Sequence, residues 1–210
     1  MIKVKPLLRG HFHQAMFFVA LGALLPLFYR CQTTLERIAI GVYAVCTLAM
    51  FGISSLYHRV TWSPERRALW KKFDHSGIYL MIAGSFTPIV LLGLRGDTGH
   101  RLLLIVWCIC LVGIIKSLVV SKLPKAVSAI LYMLMGYLIL PYLSELFQTM
   151  GPTQTWLIIS GGLVYSTGAF FYALKRPVLN PKIFSYHEIF HVFVNIGAAL
   201  HFMAINALIP

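Results

Sequence analysis

Apolar residues gather into seven long runs along the chain, at roughly 12–29, 38–57, 74–94, 102–120, 127–146, 156–174 and 188–209. A helix crossing a hydrocarbon core needs about 20 such residues, which matches these lengths. The segments between the runs are short and rich in Arg, Lys, Pro and Gly, as in 59–72, 95–101 and 175–182. They are too short to hold another domain. A membrane β-barrel would instead show segments of about ten residues alternating apolar and polar. The pattern predicts an all-α integral membrane protein, a single seven-helix transmembrane domain over residues 1–210. No internal repeat or low-complexity tract interrupts it. The first run lacks a short apolar region followed by a small-residue cleavage site, so it is expected to persist as a span.

Composition sharpens this picture. Of the 210 residues, 59% are hydrophobic and 11% charged, against about half and about a quarter in an ordinary soluble domain. Too little polar surface remains to cover a soluble fold. A soluble enzyme, a nucleic-acid binder and a disordered chain are all excluded on this ground.

The net charge of +12 matters through its distribution. With seven spans the connecting segments alternate between two faces. One face collects Lys3, Lys5, Arg9, Arg59, Arg66, Arg67, Lys71, Lys72, Lys116, Lys122, Lys125, Lys175, Arg176 and Lys182, whereas the other holds only Arg30, Arg37, Arg95 and Arg101. The positive-inside rule then predicts a cell-membrane (inner-membrane) protein with its N-terminus cytoplasmic and its C-terminus outside. The basic excess is a topology signal and a match to anionic membrane lipids, with no nucleic-acid partner implied. Cys46, Cys108 and Cys110 fall inside runs and Cys31 at the end of the first. They are expected to be buried thiols, because Cys108-Ile109-Cys110 lacks the C-x-x-C spacing of a redox or zinc motif.

Ionisable groups within spans are costly and mark function. The second run ends in Ser54-Ser55-Leu56-Tyr57-His58, the third begins at Phe73-Asp74-His75 and the seventh begins His187-Glu188-Ile189-Phe190-His191. Counting spans places all three stretches on the basic face and at one depth. His187 and His191 are four apart, so on a helix they share a face and both rings can reach one ion. Ser54 and His58 have the same spacing. Three imidazoles and a water form a catalytic type of zinc site, although residue type leaves copper, nickel and iron open. The alternative is that these histidines are interfacial residues, since one H-x-x-x-H pair arises easily by chance.

Other histidines fit the cluster less well. His11 and His13 stand at the start of the first run and His100 on the sparse face, and all three are expected at the interface. His201 lies fourteen residues beyond His187, about 21 Å along a helix at 1.5 Å per residue, and is expected to be buried and hydrogen-bonded. His187-Glu188-Ile189-Phe190-His191 also spells H-E-x-x-H, in which a protease uses the glutamate as general base. An intramembrane protease needs a distant aspartate ligand in an N-D-G or L-D-G context. Neither Asp74-His75 nor Asp97-Thr98 supplies one, so Glu188 is expected to face headgroups or a loop lysine.

Several motifs occur together: Lys5-Pro6-Leu7-Leu8-Arg9-Gly10-His11, Ser54-x-x-x-His58, Asp74-His75-Ser76-Gly77-Ile78, Ala83-Gly84-Ser85-Phe86-Thr87-Pro88, the Gly161–Ala169 stretch, and His187-x-x-x-His191. Over nearly its whole length the chain resembles the hemolysin III family of bacterial membrane proteins, relatives of the progestin and adiponectin receptor family. The resemblance implies a seven-helix bundle with zinc near the cytoplasmic side. It implies His58, His187 and His191 as ligands, with Asp74 and Ser54 around the reacting water. The wider superfamily includes alkaline ceramidases, which suggests hydrolysis of a lipid amide or ester drawn sideways from the bilayer. The alternative is a non-enzymatic membrane protein, a lipid sensor, a regulator of membrane state or a cytolysin, with zinc as a structural staple. Gly161, Gly162 and Gly168 would allow close helix approach, within the bundle or between chains.

Overall fold

A computed structural model describes residues 6–120 and 124–210, with the backbone alone described at Lys125. Lys3, Lys5 and Lys122, counted above among the basic residues, lie outside this range. The helices are α1 (His11–Arg30), α2 (Thr34–Arg59), α3 (Pro64–Gly93), α4 (Gly96–Val119), α5 (Lys125–Gly136), α6 (Leu143–Thr149), α7 (Pro152–Leu174) and α8 (Tyr186–Asn206). A 3₁₀ segment, Tyr137–Tyr142, joins α5 to α6. Counting α5 to α6 as one crossing, seven helices are long and apolar enough to span a membrane, and no β-strand occurs among the described residues. The outward faces of these helices are apolar, with Phe18, Val45, Leu104, Val112 and Leu163 each at least 60% exposed. Lipid satisfies such faces, and water does not.

Local chemistry sets the helix ends. Thr33 and Glu36 form a reciprocal capping box at the start of α2, and Ser185 with Glu188 does the same for α8. Ser63 caps α3 and Pro64 follows at the first helical position, where a missing N–H costs nothing. This cap moves the beginning of α3 ten residues ahead of the apolar run. Residues 64–73 are mostly good helix formers that the hydropathy scan passes over because they are charged. Asp74 therefore sits inside a long helix and not at its frayed end.

The fifth run also departs from expectation. Pro141 cannot donate to the carbonyl four residues back and its ring crowds that turn, so the helix tightens to 3₁₀ over Tyr137–Tyr142 before resuming.

Helix α3 is the most buried of the spans and packs against α2, α4, α5 and α8. Close approach to α2 depends on Gly84, where an added Cβ would come within 2.4 Å of the Cys46 Cβ. On α7, a Cβ at Gly161 would lie 2.3 Å from the His201 ring and one at Gly168 2.6 Å from the Phe193 Cβ, whereas Gly162 faces open space. The small residues of this stretch thus serve the contact between α7 and α8 within one chain. All four cysteines are free, and Cys108, expected to be buried, is exposed on the outer face of α4.

Candidate metal centre

Three helices bring the chemistry to the basic end of the bundle. Ser54 and His58 occupy the last turns of α2, Asp74 lies in α3, and His187 and His191 project from the first two turns of α8. The capping box that starts α8 at Ser185 decides where these last two rings point.

The rings converge. One nitrogen from each of His58, His187 and His191 lies within 4.8 Å of the others, in a group suited to hold a metal ion. His58 Nε2 and His187 Nε2 are 3.3 Å apart. Two nitrogens at about 2.0–2.1 Å from a tetrahedral zinc are separated by roughly 3.3–3.4 Å, so this pair already has the edge length of such a site. His191 is 1% exposed, and its Nδ1 has no hydrogen-bond partner among the described residues. Asp74 Oδ2 lies 3.7 Å from His58 Nε2. Ser54, buried beside Asp74, completes the group of residues singled out from the sequence.

Two neighbours went unrecognised in the sequence. His13, expected at the interface, is buried in the first turn of α1. Its Nδ1 lies 2.9 Å from Ser54 Oγ, and its ring stacks on His191 with centroids 3.8 Å apart and planes 11° from parallel. The helix begins at His11, so His13 already faces inward, a register that hydropathy does not reveal. His11 and His100 are exposed. Arg9 is the other. Glu188 is fully buried and does not face headgroups. One of its oxygens pairs with Arg9 Nε, and the other accepts the Ser185 N–H at 2.8 Å. With both oxygens occupied, Glu188 is poorly placed to act as the base of a protease.

The segment bearing Arg9 straps across the site. The Leu7 and Leu8 N–H groups donate to the carbonyls of Lys182 and Ile183 at 2.8 and 3.2 Å. Gly10 follows at φ +85°, and a Cβ there would meet His58 Cβ at 2.7 Å, so only glycine permits this passage over α2.

The profile of the family described as Haemolysin-III related matches residues 1–202. The chain belongs to this family. It is 36% identical over 169 residues to Hemolysin-3 of Bacillus cereus, covering 80% of this chain and 74% of that protein. It is 33% identical over 170 residues to a Hemolysin-3 homolog of Bacillus subtilis (strain 168), covering 81% and 76%. A more distant relative is the heptahelical transmembrane protein ADIPOR2 of Oryza sativa subsp. japonica, 28% identical over 189 residues and covering 80% of each chain. This hemolysin III protein is therefore a multi-pass membrane protein related to the progestin and adiponectin receptor type.

A cavity of about 280 Å³ adjoins the histidine cluster. Asp74, Ser54, His187 and His191 line it at the basic end, and it extends along α8 as far as His201, whose Nε2 lies 3.1 Å from the Ile158 carbonyl oxygen. Its remaining walls are largely apolar. Leu140 and Leu163, 51% and 62% exposed, also line it. The chamber thus opens sideways, between the broken fifth span and α7, toward the position of lipid.

Proposed function

We propose that this protein is a zinc-dependent hydrolase of a lipid amide or ester, acting at the cytoplasmic face of the cell membrane. The single observation that carries this reading is the opening of the His58–His187–His191 group, with Asp74 and Ser54 beside it, into an apolar cavity that reaches the lipid side. Three neutral imidazoles suit zinc and leave a fourth position for water or substrate. The chemistry supplied by a bound zinc is a water acidified to a pKa of about 7 and a Lewis acid toward a carbonyl oxygen.

The chain's own residues do the rest. Asp74 accepts the proton of the attacking water and delivers it to the leaving amine or alcohol as the C–N or C–O bond breaks. Ser54, held by His13, orients the water or the substrate carbonyl. The apolar walls take the acyl chain and exclude bulk water.

A second reading has its own support: ligands from α2 and α8 would tie two helices together, as a structural zinc does in a sensor, a regulator of membrane state or a cytolysin. Asp74→Asn separates the two. Purified in mild detergent, the wild type is expected to carry about one zinc per chain by elemental analysis. His58→Ala and His187→Ala are expected to lose it. Asp74→Asn should retain zinc and lose turnover of lipid amides and esters by on the order of 10²–10⁴-fold. A wild type without metal would sink the zinc reading, and zinc with no turnover in any lipid class would favour the staple.

A further inference from the structure

We infer that residues 6–10 form a gate through which the metal enters and leaves the histidine cluster, and that Arg9 is its latch. The inference rests on the zinc reading above and is independent of hydrolysis.

The three ligand side chains, His58, His187 and His191, are all buried. An ion therefore reaches them either through the cavity or past the chain that covers them. The lipid-facing opening of the cavity is barred to a divalent cation by the cost of carrying charge into an apolar medium. At the basic end of the cavity Lys71 and Asp74 stand three residues apart on one face of α3. That end offers a cation no net charge.

The covering chain differs. At Gly10 it lies so close to the ligand-bearing turn of α2 that an added Cβ would come within 2.7 Å of His58 Cβ and 3.0 Å of Arg59 Cγ. On its other side it is fastened to the segment that leads into α8. The Leu7 and Leu8 N–H groups donate to the Lys182 and Ile183 carbonyls, and just beyond the strap the Phe12 ring meets Phe184 edge-on with centroids 5.9 Å apart. Arg9 pairs with Glu188, which follows His187 in α8 and accepts the Ser185 N–H at the start of that helix. Residues 6–10 thus bridge the two helices that supply all three ligands. The fastening is also easily undone at its rim, where Leu7 is 67% exposed and held through its backbone. Lifting the strap takes Arg9 off Glu188 and bares a carboxylate beside His187. The path that opens is then one that attracts a cation, and the return of Arg9 closes it.

The test follows exchange in both directions on the full chain in a neutral detergent: loss of zinc to a coloured chelator, and uptake of zinc by the stripped protein. Leu7 stands second in the turn closed by the Arg9 N–H on the Pro6 carbonyl at 3.1 Å, a position that favours proline. Leu7→Pro therefore deletes the N–H bonded to Lys182 and suits the local backbone. It should speed loss and uptake by the same factor, about threefold to tenfold for one hydrogen bond, and leave the zinc content at saturation unchanged. Leu7→Ala keeps the N–H and should exchange zinc like the wild type. Faster loss without faster uptake in Leu7→Pro would overturn the gate, because the strap would then only stabilise the bound site. Unchanged rates would overturn it as well. So would an equal acceleration by Lys71→Ala, since the ion would then pass through the cavity. A wild type that takes up no zinc fails the zinc reading and the gate together, whereas zinc that is held but exchanges at rates indifferent to Leu7→Pro fails the gate alone.

Discussion

At the scale of single residues, the site is unusual in how much buried polarity surrounds it. Glu188 shares no surface with solvent, and Arg9 is the counter-charge that makes this tolerable. Removing one member of a buried pair leaves an uncompensated charge, at a cost of about 3–5 kcal/mol. Arg9→Ala should therefore lower thermal stability in detergent markedly. Arg9→Ala combined with Glu188→Gln should recover part of the loss, because the amide carries no charge and still accepts the Ser185 N–H. A double variant no more stable than the single would show that the pair does not act as a unit. His13 invites a finer test. His13→Phe preserves a flat ring against His191 but strips Ser54 of its 2.9 Å partner. The expected result is full zinc content by elemental analysis with reduced turnover. Loss of zinc would instead make the stacked ring part of what holds the ligands.

At the scale of elements, the apolar runs located every span but misplaced the ends that matter. Asp74 stands three turns into α3 because Ser63-Pro64 starts the helix in the charged segment, and hydropathy is blind to capping. The break in the fifth span follows from Pro141, legible in principle yet hidden inside a continuous apolar run. Glycines show the same division. Gly161 and Gly162 are indistinguishable as letters, but only Gly161 faces the His201 ring. Gly161→Leu should force α7 from α8 at a cost of about 1–3 kcal/mol, whereas Gly162→Leu should leave the melting temperature nearly unchanged. Equal effects in the two variants would contradict the assigned face of α7.

At the scale of the whole molecule, the prediction is topological. From the asymmetry of basic residues, the α2–α3 and α7–α8 loops are expected in the cytoplasm. In intact cells an impermeant thiol reagent should label Arg101→Cys above the background of the parent chain and fail to label Arg66→Cys until the membrane is permeabilised. The reverse pattern would put the histidine cluster on the outside and move the proposed substrate to the other leaflet.

The pattern of hydrophobic and polar residues by itself determined that the chain is a seven-span helical protein, because burying a helix in lipid requires a long apolar run that nothing else in a sequence imitates. It also brought His58, Asp74, His187 and His191 to one depth, since alternation of spans is enough to establish depth. Which of these side chains meet was decided only by the tertiary structure. That outcome depends on the rotation of each helix about its axis, set by glycine contacts, caps and the strap at Gly10. The same rotations turned His13 inward, took Glu188 from the headgroups to Arg9, and opened a chamber beside the cluster. Depth is a property of one helix at a time; contact and cavity belong to several packed together.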